Sequence, residues 1–367
     1  MIFWIDKQDP LDSAIARVAA TPVVAVDTEA DSLHSYFDKV CLIQISADAE
    51  DYVVDPLAKV NLDSFGRMLA DPNVTKILHG ADYDLRILNR DFGFTISNLI
   101  DTMVSAQLLG YEAFGLAALL ERHFGVRLNK AHQRADWAMR PLPPEMLDYA
   151  AMDTRYLSQL ATLLREELTK LGRWEWALEE FARLAAIRYR ETPDDEEIWR
   201  RLKNIGTLDR RGLAILRDLH HWRDQLARAA DRPPFKIIGN DSIVELAREK
   251  PADAATLAKL KVSQYHRGRY GRELLGIVTR ALAQDESELP ERGEAKTWLR
   301  DKALENRINK LKAVRDRVAA ELKIDSGVLA PRHVLAAVAT SGSLDDIPAM
   351  RNWQRQVLGE RLLAALL

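Results

Sequence analysis

A chain of 367 residues with 47% hydrophobic and 29% charged residues is expected to fold into two or three globular domains. No apolar run approaches the roughly 18 residues of a membrane span, and charged residues among the first ten stand where a secretory signal would have its apolar core, so we expect no export. The single cysteine, Cys41, excludes an internal disulfide and a cysteine-based zinc site, so we expect a cytoplasmic protein in which this thiol packs in the core.

The net charge of -3 conceals two segments of opposite sign. Residues 1–170 hold 16 Lys and Arg against 25 Asp and Glu, whereas residues 171–367 hold 36 against 30. Residues 201–280 are the most basic, with 17 against 9, and residues 281–367 are balanced, with 14 against 13. An acidic segment followed by a basic one is typical of a metal-using enzyme joined to a module that binds a polyanion. A solvated basic surface without a partner explains the same counts.

In chain order, three apolar runs predict neighbouring strands: TPVVAVDTEA, VCLIQIS and DYVVDP. A helix in LDSFGRMLA, a short strand in KILH and a helix in ADYDLRILNRDFG follow, the last of which Gly93 ends. After the break MRPLPPEM, a long amphipathic helix is predicted to run to about Gly172. Strands followed by alternating strands and helices predict an α/β domain over residues 1–172. The acidic stretch TPDDEEIWR then predicts a connecting segment within residues 173–209.

The remainder of the chain is helical in pattern and repeats itself. The segment LHHWRDQLARAADRPPFKIIGNDSIVELA aligns without a gap on LKAVRDRVAAELKIDSGVLAPRHVLAAVA, so that Arg223 falls on Arg315, 92 residues later. A solenoid would need at least three shorter copies. Two copies at this offset therefore predict tandem all-α domains, which we place at residues 210–290 and 291–367.

Two acids stand at the end of the first buried strand. Asp27 and Glu29 are two residues apart, so their side chains point to one face of the sheet while Thr28 points to the other. Two carboxylates at one place repel each other unless they share a cation, and carboxylate oxygens are the ligands that hard divalent cations prefer. A strand that ends at a solvated turn explains this pair equally well.

Two further motifs add acids. In HGADYDLRIL, Asp84 lies in the first turns of a helix, with Asp82 as a competing candidate. In DYAAMDTRYL, Tyr149 and Asp153 are four residues apart on one helical face, and Asp153 lies beside apolar positions where an unpaired charge is costly. Asp153 therefore requires a cation or a hydrogen-bond donor. Asp101, in LIDTMVSAQ, is predicted to be a helix N-cap.

Three segments in this order, DTEADS, LHGADYDLRIL and LDYAAMDTRYL, resemble the exonuclease motifs of the DEDD superfamily, in the variant with a tyrosine four residues before the last aspartate. LIDTMVSAQLL and RADWAMRPL extend the likeness to the ribonuclease D family, and the repeated second half resembles paired HRDC domains. The likeness covers nearly the whole chain. HGADYD is also similar to the catalytic domain of the eukaryotic exosome nuclease.

The resemblance implies an RNase H-like domain with a mixed sheet flanked by helices, followed by two HRDC domains. It implies that four carboxylates hold two divalent ions, magnesium or manganese: Asp27, Glu29, Asp84 and Asp153. These ions would activate a water and stabilise the leaving 3′ oxygen, which releases nucleoside 5′-monophosphates from a free single-stranded RNA 3′ end, such as that of a tRNA precursor. Tyr149 would orient the water, because a tyrosine with a pKa near 10 is a poor base.

Basic and aromatic side chains in two segments are candidates for contacts with nucleic acid. One segment is the loop NKAHQRADWAMRPL, in which Arg140 is a further candidate for contact with phosphates. The other is the run KVSQYHRGRYGREL, residues 261–274, hereafter the basic segment, in which Tyr265 and Tyr270 suit stacking on bases. A solvated loop and core packing explain the first segment about as well. We predict nucleic-acid contacts at Lys130, Arg134, Trp137, Lys261, Arg267 and Arg269.

Three classes of function therefore compete. The first is a 3′-5′ exoribonuclease, the second is a DNA 3′-5′ exonuclease that would use the same carboxylates, and the third is an adaptor that binds nucleic acid without cleaving it. The complete set of acids argues against the adaptor. The overall resemblance favours RNA over DNA. No single residue does so, because the choice between RNA and DNA depends on contacts to the 2′-hydroxyl, which a sequence does not locate.

Overall fold

The computed structural model describes residues 1–129, 131–191, 197–292, 301–345 and 347–367. The chain forms two compact units. The first comprises Met1–Ala30, Lys39–Tyr189 and Leu299–Leu367, and the second comprises Asp31–Asp38 and Arg190–Trp298. The last helices thus group with the first domain rather than with the helices that precede them. In the described ranges, no helix has both the length and the apolar character needed to cross a membrane.

A six-stranded mixed sheet forms the centre of the first unit. Its strands are β1 (Ile2–Ile5), β2 (Val23–Ala30), β3 (Val40–Ala47), β4 (Glu50–Val54), β5 (Thr75–Leu78) and β6 (Leu99–Asp101). The order across the sheet is β1-β4-β3-β2-β5-β6, with β3 antiparallel to both of its neighbours and the other pairs parallel. The four predicted strands are therefore present. The edge strands β1 and β6 are not among the predicted ones, since runs of four and three residues carry little pattern.

Eight helices surround this sheet among the described residues up to 191. They are α1 (Gln8–Ala19), α2 (Asp63–Ala70), α3 (Asp82–Phe92), α4 (Thr102–Leu109), α5 (Leu116–Phe124), α6 (Pro144–Arg155), α7 (Leu157–Lys170) and α8 (Trp174–Ala185). A 3-10 turn spans Pro56–Ala58. Helix α3 ends at Gly93, as predicted, with a left-handed φ of 71°. The predicted single helix from the MRPLPPEM break is wrong in one respect, because the backbone leaves helical geometry at Tyr156 and separates α6 from α7.

The two faces of the sheet pack against different helices, which decides where the acids lie. Val24 and Val26 of β2 belong to a core with α1, α2 and α3, whereas Ala25 belongs to a core with α4, α5 and α7. On the same side as Ala25, Leu42 of β3 packs with Met146 and Ala150 of α6. The alternation along β2 therefore directs odd-numbered residues towards α6 and α7, and even-numbered residues towards α3.

The second unit is helical and has a core of its own. Its α-helices are α9 (Arg210–Ala229), α10 (Pro234–Ile237), α11 (Asn240–Glu249), α12 (Ala254–Leu257) and α13 (Gln264–Leu282), with a 3-10 turn at Ile198–Arg201. The C-terminal helices of the first unit are α14 (Lys302–Leu322), α15 (Ser326–Leu329), α16 (Arg332–Ser341) and α17 (Asn352–Ala364).

The offset of 92 residues found in the sequence recurs in these helices. The bounds of α15 and α16 equal those of α10 and α11 shifted by 92 residues. Two buried arginines occupy equivalent places: Arg223 donates to the carbonyl of Ile238 at 3.2 Å, and Arg315 donates to that of Ala330 at 2.9 Å. The repeat therefore extends from sequence to backbone and to a buried polar contact.

The C-terminal helices share a core with α4, α7 and α8. The guanidinium of Arg173 donates to the carbonyls of Leu108 and Leu322, at 2.7 and 2.6 Å. The rings of Trp176 and Trp353 stack with centroids 4.8 Å apart. Because these contacts join buried surfaces, the C-terminal helices are part of the folded body of the first unit.

Candidate active site

Strand β2 carries Asp27 and Glu29 at its C-terminal end, between β3 and β5. Asp27 lies directly opposite Gln44 of β3, and the register shifts between Glu29 and Ala30, where the regular strand ends. Both carboxylates point towards α6, as the period of two predicts, and both side chains are half-buried. The interior strand thus presents two acids from a rigid position.

Helix α6 brings Asp153 to the same place. Thr154 shares a hydrogen bond of 2.7 Å with Ser46 of β3, and the Ser46 hydroxyl donates to Asp51 at 2.6 Å. Arg155 donates from Nε to the same Asp51 carboxylate at 2.8 Å. These contacts fasten the last turn of α6 to the sheet. As a result, one carboxylate oxygen from each of Asp27, Glu29 and Asp153 lies within 4.8 Å of the others.

Asp84 reaches the site from α3, on the other face of β2. The hydroxyl of Thr28 donates to its carboxylate at 2.5 Å. The backbone N–H groups of Gly80 and Ala81, just before α3, donate to the buried Asp101, at 3.2 and 2.8 Å. Asp101 also accepts from the first N–H groups of α4, which confirms the predicted N-cap. The loop before α3 is thereby tied to β6 and α4.

Three side chains near these acids have other roles. Asp82 points outward from α3, with a side chain 56% exposed, and pairs with Arg86 at 2.8 Å, as an acid outside the site would. His79 shares a hydrogen bond of 2.9 Å with Thr102, so it holds two elements together. Thr28 is missed by the sequence prediction, because the strand period shows only that it points away from Asp27. The sequence signal that could have identified Thr28 is its place between Asp27 and Glu29, where a polar side chain points into an otherwise apolar core.

Burial raises the pKa of each of these four carboxylates, hereafter the acid cluster (Asp27, Glu29, Asp84 and Asp153), and the charges of other cluster members raise the pKa of Asp27 and Glu29 further. Burial is the largest cause for all four. It raises the pKa of Glu29 to about 9, that of Asp153 to about 7 and that of Asp84 to about 6. The pKa of Asp27 also rises well above its ordinary value, and the charge of Asp84 is its next cause. A bound divalent cation would reverse these shifts, so the oxygen ligands and the electrostatics fit such an ion.

Tyr149 lies one turn before Asp153 on α6 and is held between two rings. The Trp137 and His132 rings each lie 5.8 Å from it, centroid to centroid. Burial raises the pKa of the Tyr149 hydroxyl, and the charges of Asp153, Glu29 and Asp27 raise it further. The hydroxyl therefore stays protonated near neutral pH and is suited to position a neighbouring group rather than to remove a proton.

A cavity of about 320 Å³ opens beside Tyr149 and Asp153. This volume is within the range of small-ligand sites. Several polar side chains face it, so a nucleotide-sized polar ligand could be held next to the acids. Its lining residues are Arg127, Leu128, Asn129, His132, Glu145, Asp148, Tyr149, Met152 and Asp153.

The loop before α6 does not match the predicted nucleic-acid contacts in two places. Trp137 is 1% exposed and packs in the core, so no ring face is open to a base and the predicted stacking needs correction. Arg140 forms two hydrogen bonds of 2.7 and 2.6 Å with the buried Asp55, so it fastens the loop rather than meeting phosphate. Arg134 is exposed, and Lys130 lies outside the described residues.

The basic segment of the second unit lies around the start of α13. Lys261, Arg269 and Tyr265 are exposed there, the last with 63% of its surface accessible. Arg267 is half-buried and donates to the carbonyl of Val262 at 2.6 Å, so part of its role is to close the turn before α13. The exposed positions keep the basic and aromatic character that single-stranded nucleic acids bind.

Comparisons with known proteins agree with this arrangement. A family model described as 3′-5′ exonuclease matches residues 2–169, and one described as HRDC domain matches residues 212–278. The HRDC match covers the first of the two predicted repeats. The chain is 32% identical to ribonuclease D of Acidiphilium cryptum over 364 residues, which are 98% of the chain and 91% of that protein. It is 33% identical to ribonuclease D of Cronobacter turicensis, over 78% of each chain.

Solved structures show the same likeness. Escherichia coli RNase D, described as an exoribonuclease involved in structured RNA processing, has a TM-score of 0.73 and 27% identity, over 100% of this chain and 98% of that one. A protein from Bifidobacterium adolescentis has a TM-score of 0.82 and 28% identity, over 99% and 96%. The catalytic core of RRP6 from Trypanosoma brucei has a TM-score of 0.68 and 30% identity, over 77% and 80%. The mixed sheet with its helices is therefore an RNase H-like exonuclease fold.

Proposed function

Since the chain belongs to the ribonuclease D family of divalent-metal-dependent 3′-5′ exoribonucleases, we propose that it removes nucleoside 5′-monophosphates from free single-stranded RNA 3′ ends at the acid cluster. The convergence of Asp27, Glu29 and Asp153 within 4.8 Å, beside a cavity that Tyr149 lines, carries this proposal. The four carboxylates of the cluster would hold two divalent ions, Mg²⁺ or Mn²⁺.

The acid cluster and Tyr149 have different roles in the proposed hydrolysis. When bound, the cations supply Lewis-acid stabilisation for the phosphodiester and lower the pKa of water. Asp27 and Glu29 offer their oxygens from the sheet, Asp153 from α6, and Asp84 from α3 with Thr28 fixing its orientation. The Tyr149 hydroxyl orients the attacking water. A bond forms between the water oxygen and phosphorus as the water releases a proton to solvent, the bond to the 3′ oxygen breaks, and that oxygen takes up a proton.

The substrate we propose is RNA with a single-stranded 3′ extension beyond a structured region, as in tRNA precursors. The family relationship and the structured-RNA role of the Escherichia coli neighbour support it. Among the predicted contact residues, Arg134, Lys261 and Arg269 are exposed and keep this proposed role, and Arg267 keeps it in part because it also closes a turn. Lys130 keeps it as a prediction.

We also propose that residues 291–367 contain a second HRDC domain, so that the chain has four segments, at residues 1–172, 173–209, 210–290 and 291–367. The equal bounds of α10–α11 and α15–α16 after a shift of 92 residues support it, as does the equivalent burial of Arg223 and Arg315. Superposition of α9–α11 on α14–α16 in an experimental structure tests it, and unrelated helix packing would contradict it.

A single assay tests the activity. RNA and DNA of matched sequence, labelled at the 5′ end, are incubated with the full chain and Mg²⁺ or Mn²⁺, with and without a chelator. We expect a ladder that shortens from the 3′ end, faster for RNA, with no cleavage when the chelator is present or the 3′ end carries a phosphate. A tRNA with a 3′ extension should lose the extension and stop near the stem.

The other functional classes give different results in the same assay. Equal or faster shortening of DNA would indicate a DNA exonuclease, and binding without cleavage would indicate an adaptor. Asp153→Ala serves as the matched inactive protein, and Asp82→Ala is its control, because Asp82 is a surface acid paired with Arg86.

A further inference from the structure

Gln44 has an unusual environment in the centre of β3. Its side chain is fully buried, with 0% of its surface exposed. Neither Oε1 nor Nε2 has a hydrogen-bond partner within the described part of the chain. A primary amide buried without partners costs stability, so an interior position normally keeps one only when a partner is supplied in some state of the protein.

The neighbours of Gln44 leave one polar group directly beside it in the sheet. Across the ladder it faces Asp27 on β2 and the apolar Val53 on β4, and side chains directly opposite in a sheet share one face. On its own strand, the nearest residues of that face are Leu42, in the apolar core, and Ser46, which already bonds to Asp51 and Thr154. The amide is therefore enclosed beneath α6, next to the carboxylate of Asp27.

We propose that Gln44 is a positioning residue for the acid cluster, whose Nε2 donates a hydrogen bond to the Asp27 carboxylate when a divalent cation occupies the site. The inference rests on the proposed function, since it assumes that Asp27 holds a cation. A carboxylate that binds a metal ion needs a neighbour that fixes its orientation, and such neighbours typically change affinity by roughly 10- to 100-fold. For Asp84 the hydroxyl of Thr28 has that role. Gln44 supplies the equivalent contact from the opposite face of the sheet.

The proposal predicts opposite changes in stability and in cation affinity, which a packing residue would not show. We compare the full-length wild type with Gln44→Leu and Gln44→Met by Mn²⁺ calorimetry and by thermal unfolding in chelator. We expect roughly 10- to 100-fold weaker Mn²⁺ binding. The metal-free variants should unfold at the same temperature or higher, because an unpaired buried amide has been removed.

Lys76→Met is the control, a fully buried polar side chain of the same sheet whose Nζ donates to the carbonyls of Asp71 and Val74, away from the acid cluster. It leaves these carbonyls without their donor, so it should lower the unfolding temperature and leave Mn²⁺ affinity within about twofold. Gln44 variants that bind Mn²⁺ within twofold of wild type would overturn the inference. A wild-type protein that binds no Mn²⁺ would instead overturn the proposed site, which separates the two failures.

A second measurement needs no stable variant. In wild-type protein labelled with ¹⁵N at glutamine side chains, Gln44 should give a slowly exchanging NH₂ signal, because the group is buried. On saturation with diamagnetic Mg²⁺, this signal should move downfield as its proton enters a bond to a carboxylate. A Gln44 signal that does not move on saturation, as expected if the amide holds only a buried water, would overturn the proposal.

Discussion

The acid cluster and the basic segment are two charged regions that differ in how deeply their charges are buried and how closely they lie together. In the acid cluster, four carboxylates from β2, α3 and α6 lie close together, buried or half-buried, and their pKa values are raised. In the basic segment, Lys261, Arg269 and Tyr265 are exposed and spread along the start of α13. Burying several like charges together lowers the stability of the folded state, whereas dispersed charges on the surface have little effect on it. The difference suggests that single substitutions have large effects in the acid cluster and small, graded effects in the basic segment.

Removing one acid of the cluster should have the greatest consequence. Asp27→Ala, Asp84→Ala and Asp153→Ala should each abolish RNA hydrolysis, because each removes a metal ligand. The metal-free variants should nevertheless be as stable as wild type or more stable, since repulsion and burial of charge are relieved. Rate assays and thermal unfolding in chelator measure both properties.

Asp82→Ala is the control for these three variants and should keep wild-type activity. Wild-type turnover by any of the three would remove that residue from the site. An inactive Asp82→Ala together with an active Asp84→Ala would show that Asp82, and not Asp84, is the acid of the second motif.

Tyr149 should rank next. Tyr149→Phe should lower the maximal rate by roughly 10- to 1000-fold, the range expected when a group that positions a reactant is removed, while Mn²⁺ affinity hardly changes. The ring contacts with Trp137 and His132 should persist, because phenylalanine keeps the ring. Single-turnover rates and a Mn²⁺ titration measure the two quantities. If Tyr149→Phe were as fast as wild type and only Tyr149→Ala were slow, the tyrosine would be a packing residue.

A smaller effect is expected from pH on the free energy of unfolding of the metal-free protein. The folded-state pKa values of Glu29 and Asp153, about 9 and about 7, lie above the ordinary values of 4.5 and 3.8. The folded state therefore binds more protons than the unfolded state between about pH 4 and pH 9, and the stability that these groups contribute is lost as pH rises. For each extra proton that the folded state binds, the free energy of unfolding falls by ~1.4 kcal/mol per pH unit.

Urea unfolding in chelator at pH 5, 6, 7 and 8 tests this sign. Other groups titrate in the same range, so the informative quantity is the free energy of unfolding of wild type minus that of Glu29→Gln. This difference should fall as pH rises, and saturating Mg²⁺ should reverse the fall. A level difference would show that folding leaves the pKa of Glu29 unchanged, and a rising difference would show that folding lowers it; either result would contradict the prediction.

The basic segment should respond least to single substitutions. Lys261→Ala and Arg269→Ala should each weaken binding of long single-stranded RNA modestly. The slope of log affinity against log salt concentration should become shallower by roughly 0.7 for each phosphate that is no longer neutralised. Hydrolysis of a short RNA that does not reach this segment should be unchanged. Affinity measured between low and high salt gives the slope, and unchanged slopes would show that RNA binds elsewhere.

Point substitutions suit this test better than truncation after residue 172. Removing the rest of the chain would also expose Leu108 and Leu168, which pack against the C-terminal helices. Arg267 is less informative than its neighbours, because its bond to the carbonyl of Val262 makes a folding effect inseparable from a binding effect.

Features that depend on local backbone periodicity could be predicted from the order of the amino acids alone. The strand period of two places Asp27 and Glu29 on one face, and the spacing of four on a helix places Tyr149 beside Asp153. The repeat of 92 residues is likewise visible in the sequence, because the same helices recur with the same spacing. These relations hold whatever surrounds the segments, since the covalent geometry of helix and strand imposes them.

Which distant side chains meet could be seen only in the folded chain. Packing of α3 and α6 on opposite faces of the sheet brings Asp84 to Thr28 and encloses Gln44 next to Asp27. The same packing buries Trp137, and Arg140 pairs with Asp55, although the sequence suggests both as contacts for nucleic acid. Partners so far apart in the chain leave no periodic trace, because their contact depends on how whole elements pack and not on the pattern within any one of them.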